Sequence, residues 1–394
     1  MNKIRITFLL FHIAAVILLT PVLAADTPVS GTINEDTTWT ESGSPYIAGN
    51  HVVVADGVTL TIEPGCIIKF SPGINLSISG RVIADGTPEK PIIFMRYEAS
   101  NWGNIRLQSA DPGCLFDSCR IFGGQRGIQI YSSSPGTPAT ISNCLFYDIY
   151  NECIDISNSA PIITGCTIIA HRYNAIKVYS SDASLKLPSF SNCSILKRGA
   201  MEMSGIEITM SSQDNFQALV ENCRISNFQK AISIKMANSD NNMIRIIACD
   251  LKNNNHSVSY YNTGSSFDSE LRNCRIGYIF FDDSSDVSVP LSPIEARENF
   301  WTLEEAGRSN KTDQISFIDD RATDHFPGAD LNDDDVTDSD DAAVIMDYLV
   351  GNQTLPDEDL ADADGDGDVD IRDASLVRSY GQGLLWKLPK PFLP

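Results

Sequence analysis

Seven cysteines recur along the middle of the chain in one short context, and their spacing restricts the fold more than any other feature. Cys119, Cys144, Cys166, Cys193, Cys223, Cys249 and Cys274 follow one another at intervals of 25, 22, 27, 30, 26 and 25 residues. Their surroundings read Phe-Asp-Ser-Cys119-Arg-Ile, Ile-Ser-Asn-Cys144-Leu-Phe, Ile-Thr-Gly-Cys166-Thr-Ile, Phe-Ser-Asn-Cys193-Ser-Ile, Val-Glu-Asn-Cys223-Arg-Ile, Ile-Ala-Cys249-Asp-Leu and Leu-Arg-Asn-Cys274-Arg-Ile. Eight to twelve residues after the cysteine a second alternating segment begins, as in Gly127-Ile-Gln-Ile130, Cys153-Ile-Asp-Ile156, Ala175-Ile-Lys-Val178, Gly205-Ile-Glu-Ile208 and Ala231-Ile-Ser-Ile234. A period of this length built from short alternating strands means a solenoid. No amphipathic run of helical length separates the strands, so βαβ and leucine-rich readings fail. One repeat is too poor in apolar residues to fold alone. Stacked repeats share a core and pair their strands in parallel, which gives a mainly β chain with a parallel β-helix as its body.

The cysteines alternate with apolar neighbours and should point inward. Successive coils of such a stack lie about 4.8 Å apart, whereas a disulfide brings its Cβ atoms to about 3.8 Å with a specific torsion. A column of small buried thiols is therefore expected rather than a column of bridges. Local pairs Cys114–Cys119 and Cys144–Cys153 stay open at this stage. Upstream, strand-like pieces such as Val58-Thr-Leu-Thr-Ile62 and Cys66-Ile-Ile-Lys-Phe70 are separated by Asp56-Gly57, Glu63-Pro64-Gly65, Ser71-Pro72-Gly73 and Asp85-Gly86 turns, the residue types that such reversals require. Residues 31–95 read as the first coils and a cap over the open end of the core, where an unpaired rung would template aggregation.

This body resembles the right-handed β-helix repeat proteins, the superfamily that includes pectate lyases and many bacterial and archaeal surface proteins. Gly57-Val-Thr-Leu-Thr-Ile-Glu-Pro-Gly65 and Gly80-Arg-Val-Ile-Ala-Asp-Gly86 look like the opening of its surface members, and Glu295-Ala-Arg-Glu-Asn-Phe-Trp301 looks like the motif that closes their helix. The resemblance spans about residues 31–320. It implies the fold and leaves the chemistry open.

On the strands after the cysteine segments, alternate residues face outward. One row should hold Gln129, Asp155, Lys177, Glu207, Ser233 and Ser259, and the next Tyr131, Ser157, Tyr179, Thr209, Lys235 and Tyr261. The functional reading is a polysaccharide groove: Tyr131, Tyr179 and Tyr261 stack on sugar rings, Asp155 and Glu207 handle protons or calcium, and Lys177 steadies a uronate. The alternative is a solvated face on which Asp155, Lys177 and Glu207 neutralise one another. Asp155 and Glu207 fall two coils apart, roughly 9–10 Å by strand spacing, within the separation of an inverting glycosidase pair. No serine elbow, phosphate loop or zinc spacing appears, and His51, His171, His256 and His325 form no metal pattern.

The last third of the chain carries different chemistry. Residues 324–373 hold 18 Asp or Glu against a single basic residue, Arg372, so most of the chain's net charge of −22 sits there. Without a basic stripe nucleic acid is excluded as a partner; a divalent cation fits. Two loops 32 residues apart place oxygen side chains at the spacing of a calcium loop. The first runs from Asp330 through Asn332, Asp334 and Asp338 to Asp341; the second runs from Asp362 through Asp364, Asp366 and Asp370 to Asp373, with Gly367 at its sharp turn. Each leads into a short apolar segment, and Val344, Ile345 and Tyr348 of the first correspond to Leu376, Val377 and Tyr380 of the second.

Residues 330–381 resemble a dockerin, whose duplicated unit is a calcium loop followed by one helix. That resemblance implies two Ca²⁺ sites, one held by Asp330, Asn332, Asp334, Asp341 and the Val336 carbonyl, the other by Asp362, Asp364, Asp366, Asp373 and the Asp368 carbonyl. It also implies a cohesin-like partner on a scaffold or cell surface, with Val344, Ile345, Tyr348, Leu376, Val377 and Tyr380 as the candidate docking side chains, unless these simply pack the two helices together. The first loop departs from the pattern, since Asp335 stands where glycine is expected and Thr337 where an apolar residue is. The second site is therefore expected to be the stronger. A freestanding calcium-stabilised domain is the alternative.

The chain begins with Lys3 and Arg5 and then runs apolar to Leu23, the pattern of a secretory leader. The expected organisation is a signal peptide over 1–24, the capped β-helix over 25–320, a linker over 321–329, the calcium module over 330–388 and a tail over 389–394. The mature product would be extracellular or attached to a cell surface, with no membrane span. The expected function is a calcium-binding, dockerin-tethered protein whose body binds polysaccharide or serves structural display; a polysaccharide lyase or glycoside hydrolase acting with the outer face is the alternative.

Overall fold

The computed structural model describes residues 26–131, 138–170, 172–181, 188–200, 203–211, 217–237, 242–251, 253–262, 267–282, 294–297, 300–301, 315–318, 331, 339–349, 354–355, 361, 369, 374 and 377. The expected leader lies outside them. No described helix is long and apolar enough to cross a membrane.

The body is a right-handed parallel β-solenoid of about eight turns. Each full coil contributes one strand to each of three faces. The first face begins at the cysteines and stacks Ile67–Phe70, Ile92–Arg96, Cys119–Phe122, Leu145–Tyr147, Thr167–Ala170, Ser194–Lys197 and Arg224–Ser226. The second stacks Leu76–Ile78, Ile105–Gln108, Ile128–Tyr131, Ile154–Ser157, Ile176–Ser180, Ser204–Ser211, Lys230–Ala237, His256–Asn262 and Ile279–Asp282. The third runs from Thr37–Trp39 to Ile315–Ile318, through strands such as Leu115–Asp117, Ile162–Thr164 and Gln217–Glu221.

Parallel in-register stacking puts like on like inside. On the second face Ile128, Ile154, Ile176, Ile206, Ile232, Val258 and Ile279 form one column, and all seven are fully buried. Burying one such side chain contributes roughly 1.5–3 kcal/mol, and each column repeats that gain on every coil. The cysteines form a column of the same kind. Cys119 pairs with Ile92, one coil beyond Cys66, and from Cys119 onward the thiols stack coil upon coil to Cys274. All ten cysteines are free and buried, which closes the possibility of Cys114–Cys119 or Cys144–Cys153 bridges. Their Sγ atoms donate to main-chain carbonyls: Cys144 to Ser142 at 3.1 Å and to Phe116 on the preceding coil at 3.4 Å, and Cys223 to Glu221 at 3.3 Å and Phe190 at 3.6 Å.

The residue before each ladder cysteine makes the bend from the third face to the first. Ser118, Asn143, Gly165, Asn192, Asn222, Ala248 and Asn273 all have φ between 49° and 64°. Asparagine is among the few side-chain-bearing residues that adopt this left-handed region readily, which accounts for the recurring Asn-Cys pair. At Gly165 a Cβ would meet the Asn143 Oδ1 at 2.5 Å, so there the close approach of the neighbouring coil also favours glycine.

At the amino-terminal end Trp39 stacks on Tyr46 with ring centroids 4.9 Å apart, and Tyr46 Oη donates to the Thr40 carbonyl at 3.1 Å. These two rings close that end of the core. At the other end Phe300–Trp301 pairs with Arg275–Ile276, and Ile315–Ile318 extends the third face, so the solenoid reaches to within two residues of the boundary expected at 320.

In the carboxyl-terminal region the helix Ser339–Leu349 follows the first loop. A small cluster joins Leu331, Ala342 and Ile345 to Ala361, Ala374 and Val377, with Val344, Leu355 and Val369 packed on it. Ala374 and Val377 are themselves helical. Ile345 and Val377, equivalent positions of the two repeats, are fully buried in this cluster, so they pack the repeats together and are not available as docking side chains. Val344 and Tyr348 are half-buried. Leu376 and Tyr380 lie outside the described residues.

Candidate functional site

The register of the second face places the two outward rows as expected. Gln129, Asp155, Lys177, Glu207, Ser233 and Ser259 are neighbours on successive strands, and so are Tyr131, Ser157, Tyr179, Thr209, Lys235 and Tyr261. Accessibility is uneven along them. Gln129, Ser233 and Ser259 are buried although they face outward, so the first row is not open along its length.

The charges pair differently from the expected alternation. Asp155 and Glu207 do not share Lys177, which forms no ion pair among the described residues. Asp155 Oδ2 lies 3.5 Å from Arg126 Nε, and Glu207 Oε2 lies 2.9 Å from Lys235 Nζ. Arg126 Nε also meets Glu152 Oε2 at 2.9 Å. Glu152 and Asp155 belong to the same coil, and their side chains keep only 10% and 13% of their exposure. Gln129 Nε2 donates to Asp155 Oδ2 at 2.9 Å and to Tyr131 Oη at 2.6 Å, and the side-chain oxygen Oε1 of Gln129 accepts from Asn104 Nδ2. Arg106 Cζ stands 5.8 Å from the Tyr131 ring. Burial and the nearby Asp155 carboxylate raise the Tyr131 phenol above its ordinary pKa, so Tyr131 stays a neutral hydrogen-bonding group. Asn104, Arg126, Gln129, Tyr131, Glu152 and Asp155 thus form one connected polar network.

Arg126 and Glu152 were missed in the sequence because they precede the alternating part of their strands. Each sits just before a small residue, Gly127 or Cys153, that enters the second face. That shared offset was the available signal. What the pair offers a ligand is a set of acceptor oxygens with fixed orientation. A general acid for glycoside cleavage works best in an apolar pocket, and this pair is salt-bridged.

The three expected tyrosines are not equivalent. Tyr131 is held by Gln129. Tyr261 is attended by two lysines, with Lys230 Nζ 4.6 Å and Lys235 Nζ 5.9 Å from its ring centroid. Tyr179 is exposed, and its hydroxyl meets Ser211 Oγ at 3.0 Å. Beyond Tyr261, His256 stacks on Phe280 at 4.7 Å with an interplanar angle of 9°; burial, and then Lys230, lower its pKa and favour the neutral ring.

Residues 42–195 match the family model described as the right-handed β-helix region. That segment holds the Arg126–Glu152–Asp155 network. Among curated proteins the chain is similar to "Protein bark beetle" of Drosophila melanogaster, with 40% identity over 81 residues, 21% of this chain. The chain spans 2% of the length of that relative. No solved structure matches.

For calcium, the described part of the first loop bears on one expected ligand. Asp341 is fully buried, and its Oδ1 accepts the Leu331 main-chain N–H at 2.6 Å. Leu331 is the second residue of that segment and Asp341 the twelfth, so one hydrogen bond joins its two ends. Asp330, Asn332, Asp334, Val336, Asp362, Asp364, Asp366, Asp368 and Asp373 lie outside the described residues. Among those described, no three His, Cys, Asp or Glu side chains gather as a metal site.

Proposed function

We propose that this chain is an exported protein that binds polysaccharide along the second face of its β-helix and is anchored through its carboxyl-terminal calcium module to a cohesin-like partner. The observation that carries the binding reading is the Arg126-clamped pair of Glu152 and Asp155. Oriented carboxylates and amides are the groups that recognise sugar hydroxyls, and here Asn104, Gln129 and Tyr131 support them from neighbouring coils. The buried Asp341 and the duplicated loop spacing support the tether. When bound, Ca²⁺ would neutralise the clustered carboxylates and let each loop close. Asp341 and Asp373 would hold it at the loop ends, next to the helical residues Ala342 and Ala374.

Affinity electrophoresis of the full chain through gels containing soluble polysaccharides tests the binding reading. At least one polysaccharide should retard the protein, and Glu152→Gln with Asp155→Asn should abolish the retardation while leaving the thermal unfolding midpoint within a few degrees of wild type. Unretarded migration on every polysaccharide, or retardation indifferent to the double substitution, would overturn it.

One observation favours a hydrolase as second reading. Both carboxylates touch the same guanidinium nitrogen, which keeps them close enough to serve as a glycosidase pair. New reducing ends appearing on a bound polysaccharide, and disappearing with Glu152→Gln, would establish that reading.

A further inference from the structure

We propose that Tyr150, Tyr173 and Arg172, at the corner between the first and second faces, form a stacking subsite for a neutral pyranose ring whose hydroxyls are accepted by the neighbouring Glu152. This deepens the polysaccharide reading and rests on it. Tyr150 and Tyr173 are each 39% exposed, and their ring centroids lie 6.3 Å apart with planes tilted by 45°. They come from adjacent coils, so they form one continuous aromatic surface, whereas Ser157 separates Tyr131 from Tyr179, and Thr209 and Lys235 separate Tyr179 from Tyr261. The corner is held in place: the Tyr150 N–H donates to the Gly124 carbonyl at 2.9 Å and the Asn151 N–H to the Gln125 carbonyl at 2.8 Å. Arg172 lies over the Tyr150 ring with Cζ 4.8 Å from the centroid, and its Nη1 donates to Tyr150 Oη at 3.5 Å. A guanidinium over an aromatic face fixes that ring, and a ring already ordered loses less freedom when a sugar stacks on it.

The ligand class follows from the charges beside the rings. Glu152 follows Tyr150 by two residues, and Arg126 is engaged with both Glu152 and Asp155. A sugar carboxylate would come against two carboxylates whose guanidinium is already committed, and like charges at close range oppose binding. Hydroxyl hydrogens would find the acceptor positions that Arg126 leaves open.

Titration calorimetry of the full chain with hexasaccharides of β-1,4-linked glucose, mannose and xylose, and with hexagalacturonate, tests the assignment. At least one neutral hexasaccharide should bind. Tyr150→Ala with Tyr173→Ala should weaken it by roughly tenfold or more, the scale of a lost aromatic contact. Arg172→Gln should weaken it with an unchanged thermal midpoint, and Ile162→Ser, an exposed apolar position on the third face, should bind as wild type does. Hexagalacturonate binding more tightly than every neutral sugar, or a double tyrosine variant with wild-type affinity, would overturn the subsite and leave the polysaccharide reading standing. Failure of all four sugars, together with free migration through every polysaccharide gel, would overturn both.

Discussion

At the scale of the residue, the bend before each thiol controls how well one coil seats on the next. Six of the seven positions carry Asn, Ser or Gly, and the seventh is Ala248 at φ 52°. A left-handed alanine costs roughly 1–2 kcal/mol, and asparagine reduces that cost through local hydrogen bonding. Ala248→Asn should therefore raise stability by about 0.5–1 kcal/mol, read as a higher urea midpoint with unchanged slope, while Asn222→Val should lower it. The Asn-Cys dipeptide was visible in the sequence as the context of the repeat. Its reason was not, because the sign of a backbone angle is set by the join between two faces and not by the dipeptide. Asp155 and Glu207 were placed on the correct row from alternation alone. Their partners Arg126 and Lys235 depended on side-chain reach across coils, which strand period does not encode.

At the scale of the element, the thiol column is a core made of weakly polar atoms that need no disulfide. Burial raises the pKa of Cys66 to about 11, and it raises those of Cys114, Cys153 and Cys249 above the ordinary thiol value. In the unfolded chain these thiols ionise near pH 8.5. The folded state holds them protonated, so their contribution to stability is complete below about pH 8.5 and is lost as pH rises from there toward the folded-state values. The urea midpoint should fall between pH 8.5 and 11, and a thiol reagent should label none of the ten cysteines of the native protein yet all of them in denaturant. Labelling of Cys144 or Cys193 in the native protein would contradict the buried column. Parallel stacking was legible in the sequence because one apolar pattern recurs with one thiol per coil. The three-face cross-section was not, since the third-face strands are only three residues long in Leu115–Asp117, Thr140–Ser142 and Ile162–Thr164, too short for alternation to announce them.

At the scale of the whole molecule, two unlike ways of holding structure share one chain. The body rests on long apolar columns. Among the described residues the carboxyl-terminal cluster holds six buried apolar side chains; under the proposed calcium reading, bound metal adds to the stability of that small module. Chelation should unfold the helical signal of the terminal module and leave the β-sheet signal of the body unchanged in circular dichroism. Asp341→Ala should weaken one of two calcium-binding steps in calorimetry and Asp373→Ala the other, with the second loop the tighter. An unchanged helical signal in chelator would remove the basis for a calcium-dependent tether. The burial of Ile345 and Val377 in one cluster was not legible from oxygen spacing and required the packed structure.

The in-register columns also make the rod's length a counted quantity. Every ladder coil turns at the same left-handed bend and offers a thiol and apolar side chains to its successor, so a whole repeat gained or removed between two bends would restore an apolar junction. Each such event would change the length of the stack by one strand spacing, about 4.8 Å. Reach toward a distant surface can thus change in discrete steps without redesign of either end.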